Sequence, residues 1–160
     1  MNVAIIYSSK HGTTEKICNA IASHIAEKAE VTLINVDDMN NVDLSHYDSI
    51  VLGTSIYAGK PRKKMVEFCS INEEYILTRR LFLFVCGMDR KKAIEEIEAT
   101  YSPALLNHAD ATNFIDGEFR LARMTFFERL LLRAFFGIKH SETREYGPII
   151  SDFAENIIAK

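Results

Sequence analysis

Short apolar runs rich in β-branched residues alternate along this chain with segments of helical periodicity, and no other feature constrains its fold as much. The runs cover residues 3–7, 31–36, 49–54, 80–85 and 111–115. Runs of this kind are typical of strands buried on both faces of a parallel sheet. Strands that alternate with helices imply right-handed crossovers and a sheet covered on both sides. We therefore predict an α/β fold, a five-stranded doubly wound parallel sheet with helices on both faces.

Helical patterns fill the intervals between these runs. Ile17, Ile21 and Ile25 recur at helical spacing after the first strand. Further helices are predicted over residues 62–69, 90–99, 101–108, 124–138 and 148–159. Residues 37–48 are mostly polar and predict a connection with little regular structure. The length of 160 residues fits one domain, so we assign residues 1–160 to a single domain.

The segment between the first strand and the first helix reads SSKHGTTE, residues 8–15. Backbone N–H groups and the positive end of the helix dipole make this position a site for an anion. Gly12 can adopt a left-handed backbone without penalty, which lets the loop close around a phosphate. The residues predicted to hold that phosphate are Ser9, Lys10, His11, Gly12, Thr13 and Thr14.

A phosphate site is not the only structure that this segment allows. A hydroxyl side chain followed by Glu15 is also typical of an ordinary helix cap, so simple capping remains the alternative. The GxGxxG motif of dinucleotide sites and the GxxxxGK[ST] motif of nucleoside triphosphate sites are both absent from the sequence. A loop of hydroxyl groups with one glycine therefore favours a single terminal phosphate.

The same segment resembles the phosphate-binding signature of flavodoxins, T/S-x-T-G-x-T, with Lys10 and His11 where flavodoxins commonly have Thr or Ser. A closer similarity, to the flavodoxin-type quinone-dependent protoporphyrinogen oxidases, is found in GTSIYAGKPRKKMVEF and in FFERLLLRAFFG with SETREYGPIISDFAENI. It runs over most of the chain. The resemblance implies a flavodoxin-like fold with FMN as the cofactor.

The function that this resemblance implies is that of an FMN-dependent oxidoreductase. It would oxidise protoporphyrinogen, or a related hydrophobic substrate, with a quinone as acceptor. The flavin carries the chemistry in such proteins, so no side chain is assigned a catalytic role. Two alternatives stay open: an electron-transfer flavodoxin without its own substrate, and a relative of the fold that has lost FMN and acts as an interaction module. Electron-transfer flavodoxins usually carry a strongly negative net charge that steers them to basic partners, and the net charge of −3 of this chain gives only weak steering of that kind.

The flavin ring needs apolar or aromatic walls and backbone amides, and two further segments follow strands at the same edge of the sheet. Tyr57 could stack on the ring, while Gly59 and Gly87 permit close approach of the backbone. Without a ligand, Tyr57 would be a partly buried aromatic of a loop and Gly87 a turn residue, and these alternatives remain open. The predicted ring contacts are Thr54, Ser55, Ile56, Tyr57, Ala58, Gly59, Cys86, Gly87 and Met88.

Residues 124–138 form a very apolar helical pattern with a narrow polar stripe that includes Arg129 and Arg133. A helix that is apolar nearly all round covers a core, lies against a membrane or binds a partner. The segment is shorter than the roughly 20 residues that span a bilayer. We leave open whether it covers the sheet or forms a surface for a hydrophobic substrate, a quinone, the inner face of the cell membrane or a second copy in a homo-oligomer.

The charge balance gives no reason to expect nucleic acid as a partner, because 19 basic and 22 acidic residues leave a net charge of −3. Cys18, Cys69 and Cys86 are scattered and form no CxxC pair, which is typical of reduced thiols. No spacing of His, Cys and carboxylate residues matches a metal site. The first residues lack the pattern of a signal peptide, and no long apolar run predicts a membrane span. We therefore expect a cytoplasmic protein that holds no metal.

Overall fold

The computed structural model describes residues 1–38, 41–116 and 147–159. Its strands are β1 (Asn2–Ser8), β2 (Glu30–Asn35), β3 (Ser49–Tyr57), β4 (Lys60–Pro61), β5 (Arg80–Gly87) and β6 (Ala111–Asp116). Its helices are α1 (Thr13–Ile25), α2 (Lys63–Ile76), α3 (Ala93–Thr100), α4 (Pro103–His108) and α5 (Gly147–Ile158). A 3-10 turn, Arg90–Lys92, precedes α3. The helix predicted over residues 124–138 lies outside the described residues.

The main sheet has five parallel strands in the order β2-β1-β3-β5-β6. The chain begins at β1, adds β2 on one side and then returns to add β3 on the other side. The order therefore reverses at the carboxyl ends of β1 and β3, which is where open α/β sheets bind their ligands. The predicted five-stranded, doubly wound parallel sheet is confirmed.

Helices cover both faces of this sheet, and the alternation of side chains along each strand divides the core in two. Val3 and Ile5 of β1 face the helices α1 and α5, in a cluster with Phe82 and Phe153. The intervening β1 residues pack on the opposite face, in the cluster to which α2 and α4 contribute. Because both of their faces are buried, the central strands β1, β3 and β5 are nearly continuous apolar runs.

Most predicted helices are found, with changes at their ends. The helix predicted over residues 62–69 continues to Ile76, because Asn72, Glu73 and Glu74 extend the helical pattern without a breaking residue. Pro103 begins α4, and the Ser102 hydroxyl caps this helix by accepting from Leu105 N at 3.3 Å. No described helix is both long enough and apolar enough to cross a membrane.

One predicted loop is a strand and a turn in the structure. The sequence predicts a loop over residues 54–59 after the third strand. In the structure β3 continues to Tyr57, and the chain folds back so that Lys60–Pro61 pairs antiparallel with it as β4. Ala58 at φ 50° and Gly59 at φ 72° form the two-residue turn, and two consecutive positive φ angles suit the twist of a tight hairpin. The sequence hides this turn because alanine rarely adopts a positive φ.

Candidate functional site

The loop between β1 and α1 closes through its own side chains. Gly12 precedes α1 with φ 84° and ψ 3°, in the left-handed region. The Ser9 hydroxyl accepts from Gly12 N at 3.1 Å, and Gly12 O accepts from Lys16 N at 3.0 Å. Among the described residues no side chain caps α1, so the predicted alternative of an ordinary hydroxyl cap does not hold. The N–H groups of the first turn remain available to an anion.

Buried hydroxyl groups gather beside this loop. Thr54 Oγ1 and Ser55 Oγ are buried and make no hydrogen bond within the described part of the chain, and the Thr14 hydroxyl, also buried, lies close to the Cys86 sulfur. Thr54 stands opposite Ser8 in the register of β3 and β1, at the carboxyl edge of the sheet. Buried polar groups are normally paired, so a cluster left unpaired calls for a partner. The donors that this site offers fit the oxygens of a phosphate.

The hairpin of β3 and β4 contacts the phosphate loop through Tyr57. Lys10 Nζ lies 3.4 Å from the centroid of the Tyr57 ring, a cation–π contact. The His11 and Tyr57 rings have centroids 5.9 Å apart and planes at 59°. The structure therefore brings the first two predicted segments together. Ile56 and Tyr57 are half-buried, whereas Ala58 and Gly59 are exposed at the tip.

The third predicted segment lies next to the second, since Cys86 stands opposite Ser55 in the register of β5 and β3. Burial raises the pKa of the Cys86 thiol to about 12, so this sulfur is inert packing rather than a nucleophile. Gly87 is buried at the end of β5, where an added Cβ would overlap the Glu96 carboxylate and the Phe114 ring. Packing therefore accounts for this glycine, and its contact with a ring stays a prediction. Met88 is half-buried.

Sequence reasoning missed a polar network behind the phosphate loop. Asp37 Oδ2 accepts from Ser8 Oγ at 2.8 Å and from Ser9 N at 3.1 Å. Asp37 Oδ1 pairs with Arg62 Nη2 at 3.0 Å. The available signals were an aspartate just beyond β2 and an arginine among lysines, but sequence could not show that they meet. An acidic residue after β2 binds ribose in dinucleotide folds, whereas both oxygens of Asp37 are engaged within the protein.

Exposed basic side chains follow both ring segments. We call this set the basic rim, and it consists of Lys60, Lys63, Lys64, Arg90, Lys91 and Lys92. The two halves of the basic rim are neighbours, because β4 packs against α3. Two of its members are paired, Lys63 with Glu67 at 3.2 Å and Arg90 with Asp116 at 2.9 Å. The basic rim is thus a local group of lysine and arginine side chains at this edge of the sheet, in a chain that is weakly acidic as a whole.

A buried carboxyl group lies beneath the third segment. Glu96 of α3 is 6% exposed, and its Oε2 has no hydrogen-bond partner among the described residues. Burial, together with the nearby charge of Asp89, raises the pKa of Glu96 above its ordinary value. Within the described ranges, no group of three or more His, Cys, Asp or Glu residues could hold a metal ion.

The sequence of this chain matches one family model and is similar to one protein of known name. Residues 4–145 match the family model described as Flavodoxin domain. A protein of Leishmania major named protoporphyrinogen IX dehydrogenase [quinone] is 23% identical over 147 residues, which cover 87% of this chain. The matched region spans 64% of the length of that relative.

Solved structures of flavodoxins share the fold. Oxidised flavodoxin 1 from Bacillus cereus is 16% identical with a TM-score of 0.63, and the match covers 99% of this chain and 97% of that one. Flavodoxin of Fusobacterium nucleatum bound to flavin mononucleotide is 17% identical with a TM-score of 0.52, over 67% of this chain and 63% of that one. The strand order, the switch point and the family match agree, and this chain belongs to the flavodoxin domain family.

Proposed function

We propose that this chain binds FMN, with the terminal phosphate in the loop of residues 9–14. One observation carries the proposal: α1 begins directly after a left-handed Gly12 without a side-chain cap from the described residues, beside the unpaired buried hydroxyls of Thr54 and Ser55. Phosphate oxygens accept hydrogen bonds from such hydroxyls and from first-turn N–H groups. Related flavodoxin structures with bound flavin mononucleotide support the choice of ligand.

The remaining predicted residues are proposed to hold the flavin ring. Tyr57 offers an aromatic face at the mouth of the site, and the hairpin turn offers exposed backbone amides. Cys86, Gly87 and Met88 line the neighbouring strand end. Bound FMN supplies hydride and one-electron transfer, while the protein binds it, orients it and restricts water around it.

We further propose that the FMN form is an oxidoreductase that oxidises protoporphyrinogen, or a related hydrophobic substrate carrying carboxylates, with a quinone as acceptor. The distant relative from Leishmania major supports this substrate and acceptor. The basic rim supports it independently, because a positive field beside the ring site attracts carboxylates. Residues 124–138, outside the described part, are proposed as the apolar surface for the quinone, the membrane face or a second copy.

The second candidate is a flavodoxin carrier that passes electrons between proteins and has no substrate of its own. The fold likeness to flavodoxins favours it. The basic rim argues against it, because an acidic carrier steers towards basic partners and a positive edge would repel them.

Reconstitution separates these functions. After incubation with FMN and removal of the unbound flavin, the purified chain should remain yellow, and binding should quench the flavin fluorescence; a colourless chain would contradict the site. The FMN form should then oxidise protoporphyrinogen under exclusion of oxygen when a quinone analogue is present. FMN binding without turnover would instead support the carrier.

The phosphate site has a direct mutational test in Thr13→Asp. A carboxylate in the first turn would repel the phosphate dianion, so FMN affinity should fall by about 100-fold or more. Asn19→Asp is the matched control, because it adds the same charge to an exposed position further along α1. Affinity is measured by fluorescence titration. Equal affinities for Thr13→Asp and Asn19→Asp would argue strongly against the loop as the phosphate site.

A further inference from the structure

Three separate chain segments meet on one carboxylate directly behind the phosphate loop. Asp37, which follows β2, accepts from Ser8 and Ser9 at the end of β1. Arg62, which precedes α2, pairs with Asp37 and also donates from Nε to Ser8 Oγ at 3.3 Å. Ser8 is fully buried, while the side chains of Asp37 and Arg62 are 18% and 30% exposed. The hydrogen bonds from Asp37 and Arg62 therefore hold Ser8 and Ser9 in position on the buried side of the loop.

This arrangement sets a negative charge beside a site that is proposed to hold an anion. The carboxylate orients Ser9 N, so it serves the geometry of the loop, but its charge opposes a phosphate dianion. The guanidinium of Arg62 cancels that charge, and the bound pair is close to neutral. The pair would thus give the loop its shape without the repulsion that a lone aspartate brings.

We propose that Asp37 and Arg62 are a charge-neutral positioning pair that determines the affinity of this site for the phosphate of FMN. Neither side chain needs to touch the flavin. The inference rests on the proposed FMN site and deepens it, because it names two residues outside the loop that position the loop for the phosphate. It also predicts that Arg62 matters only while Asp37 carries its charge.

The test compares FMN with riboflavin, which has the same ring and lacks the phosphate. In Arg62→Gln, the uncompensated Asp37 charge should weaken FMN binding by about 10-fold or more, and riboflavin binding by less than about threefold. In the double variant Asp37→Asn with Arg62→Gln, most of the FMN affinity should return, because the asparagine oxygen still accepts from Ser9 N without carrying charge. Arg62→Lys should retain a near-normal ratio of the two affinities.

Lys28→Gln is the matched control, since it removes an exposed positive charge beyond the C-terminal end of α1, outside both the basic rim and the Asp37 network. A plain structural role would lower FMN and riboflavin binding equally, and that result would overturn the proposal. A double variant no better than Arg62→Gln would overturn it as well.

The affinity ratio of Arg62→Lys and FMN binding by the wild-type chain cover the cases in which Arg62→Gln gives no answer. If Arg62→Gln does not fold, the FMN-to-riboflavin ratio of Arg62→Lys decides, because retention of charge must preserve it and a lost ratio refutes the pair. Binding of FMN by the wild-type chain is measured first. Its absence would refute the proposed function itself, whereas normal wild-type binding with unselective variants would refute the positioning pair alone.

Discussion

The Phe84 ring of the neighbouring strand lies over Gly53 and occupies the space that a Cβ of residue 53 would need. The two residues are opposite each other in the register of β3 and β5. A Cβ added to Gly53 would fall well inside van der Waals contact with the ring, on several of its atoms. Phe84 is fully buried and packs edge-on against Phe153, with ring centroids 5.9 Å apart. The Phe84 ring is therefore held in place by Phe153 and its other buried neighbours.

Gly53→Ala should accordingly destabilise the protein by about 1–3 kcal/mol through overpacking. Gly147→Ala is the matched control, because a Cβ there meets no described atom within 4 Å. Urea unfolding followed by circular dichroism measures both free energies of unfolding. Equal stability of the two variants would show that the sheet adapts to the extra methyl group.

For single residues, the sequence showed which positions matter better than it showed which contacts make them matter. Gly87 illustrates the difference, because its chemistry suggested close approach to a ligand while its neighbours Glu96 and Phe114 explain the glycine by packing. Asp37 illustrates the opposite case. Its position after β2 is visible in the sequence, but its partners are 25 and 28 to 29 residues away along the chain. Contacts of that separation depend on the order of strands, which periodicity does not encode.

One side chain of β5, that of Arg80, forms hydrogen bonds with the C-terminal end of the helix α5. The Arg80 guanidinium donates to Ala159 O at 2.9 Å, to Ile157 O at 3.3 Å and to Asn156 O at 3.4 Å. These carbonyls lie in or just beyond the last turn of the helix, where a helix leaves its carbonyl groups without backbone partners. A cation also interacts favourably with the negative end of the helix dipole. Arg80 thus acts as a cap supplied by another element.

Arg80→Met should loosen α5 by about 1–2 kcal/mol, since it keeps much of the apolar stem and removes the donors. Amide protons of α5 should exchange faster while those of β1 change little, as measured by native-state hydrogen exchange. Arg90→Met serves as control, because Arg90 pairs with Asp116 and makes none of the contacts to α5 that the structure describes. Equal protection of α5 in the two variants would remove the proposed cap.

Elements with strong local signals were predicted well, and elements defined by distant partners were not. The central strands β1, β3 and β5 are apolar along most of their length and the edge strands β2 and β6 carry shorter apolar stretches, so their number and order of appearance could be predicted from sequence alone. The hairpin of β3 and β4 could not, because its second strand, Lys60–Pro61, has only two residues and its turn uses Ala58 at φ 50°. The same holds for the candidate site. The phosphate loop could be predicted from the sequence, whereas the ion pair of Asp37 and Arg62 that supports it could not.

The stability of the whole molecule should depend on pH through the buried carboxyl of Glu96. Burial and the charge of Asp89 raise its pKa in the folded state, whereas in the unfolded chain it titrates near its ordinary value. As pH rises through the ordinary value, the unfolded state releases this proton while the folded state still holds it. The free energy of unfolding therefore falls with rising pH until the raised pKa is passed, and remains lower above it.

Glu96→Gln removes this titration, so the variant should be more stable than the wild type at neutral pH and nearly equal to it at pH values below the ordinary pKa of a glutamate. The matched control is Glu95→Gln, which changes an exposed neighbour on the same helix. Urea unfolding at several pH values gives the difference curve between wild type and variant, in which other titrating groups largely cancel. A flat difference curve for Glu96→Gln, or the same curve for Glu95→Gln, would contradict the assignment. Glu96 lies next to Gly87 at the end of β5, so a sloped curve would couple the stability of the fold to the protonation of a group beside residues 86–88 of the candidate site.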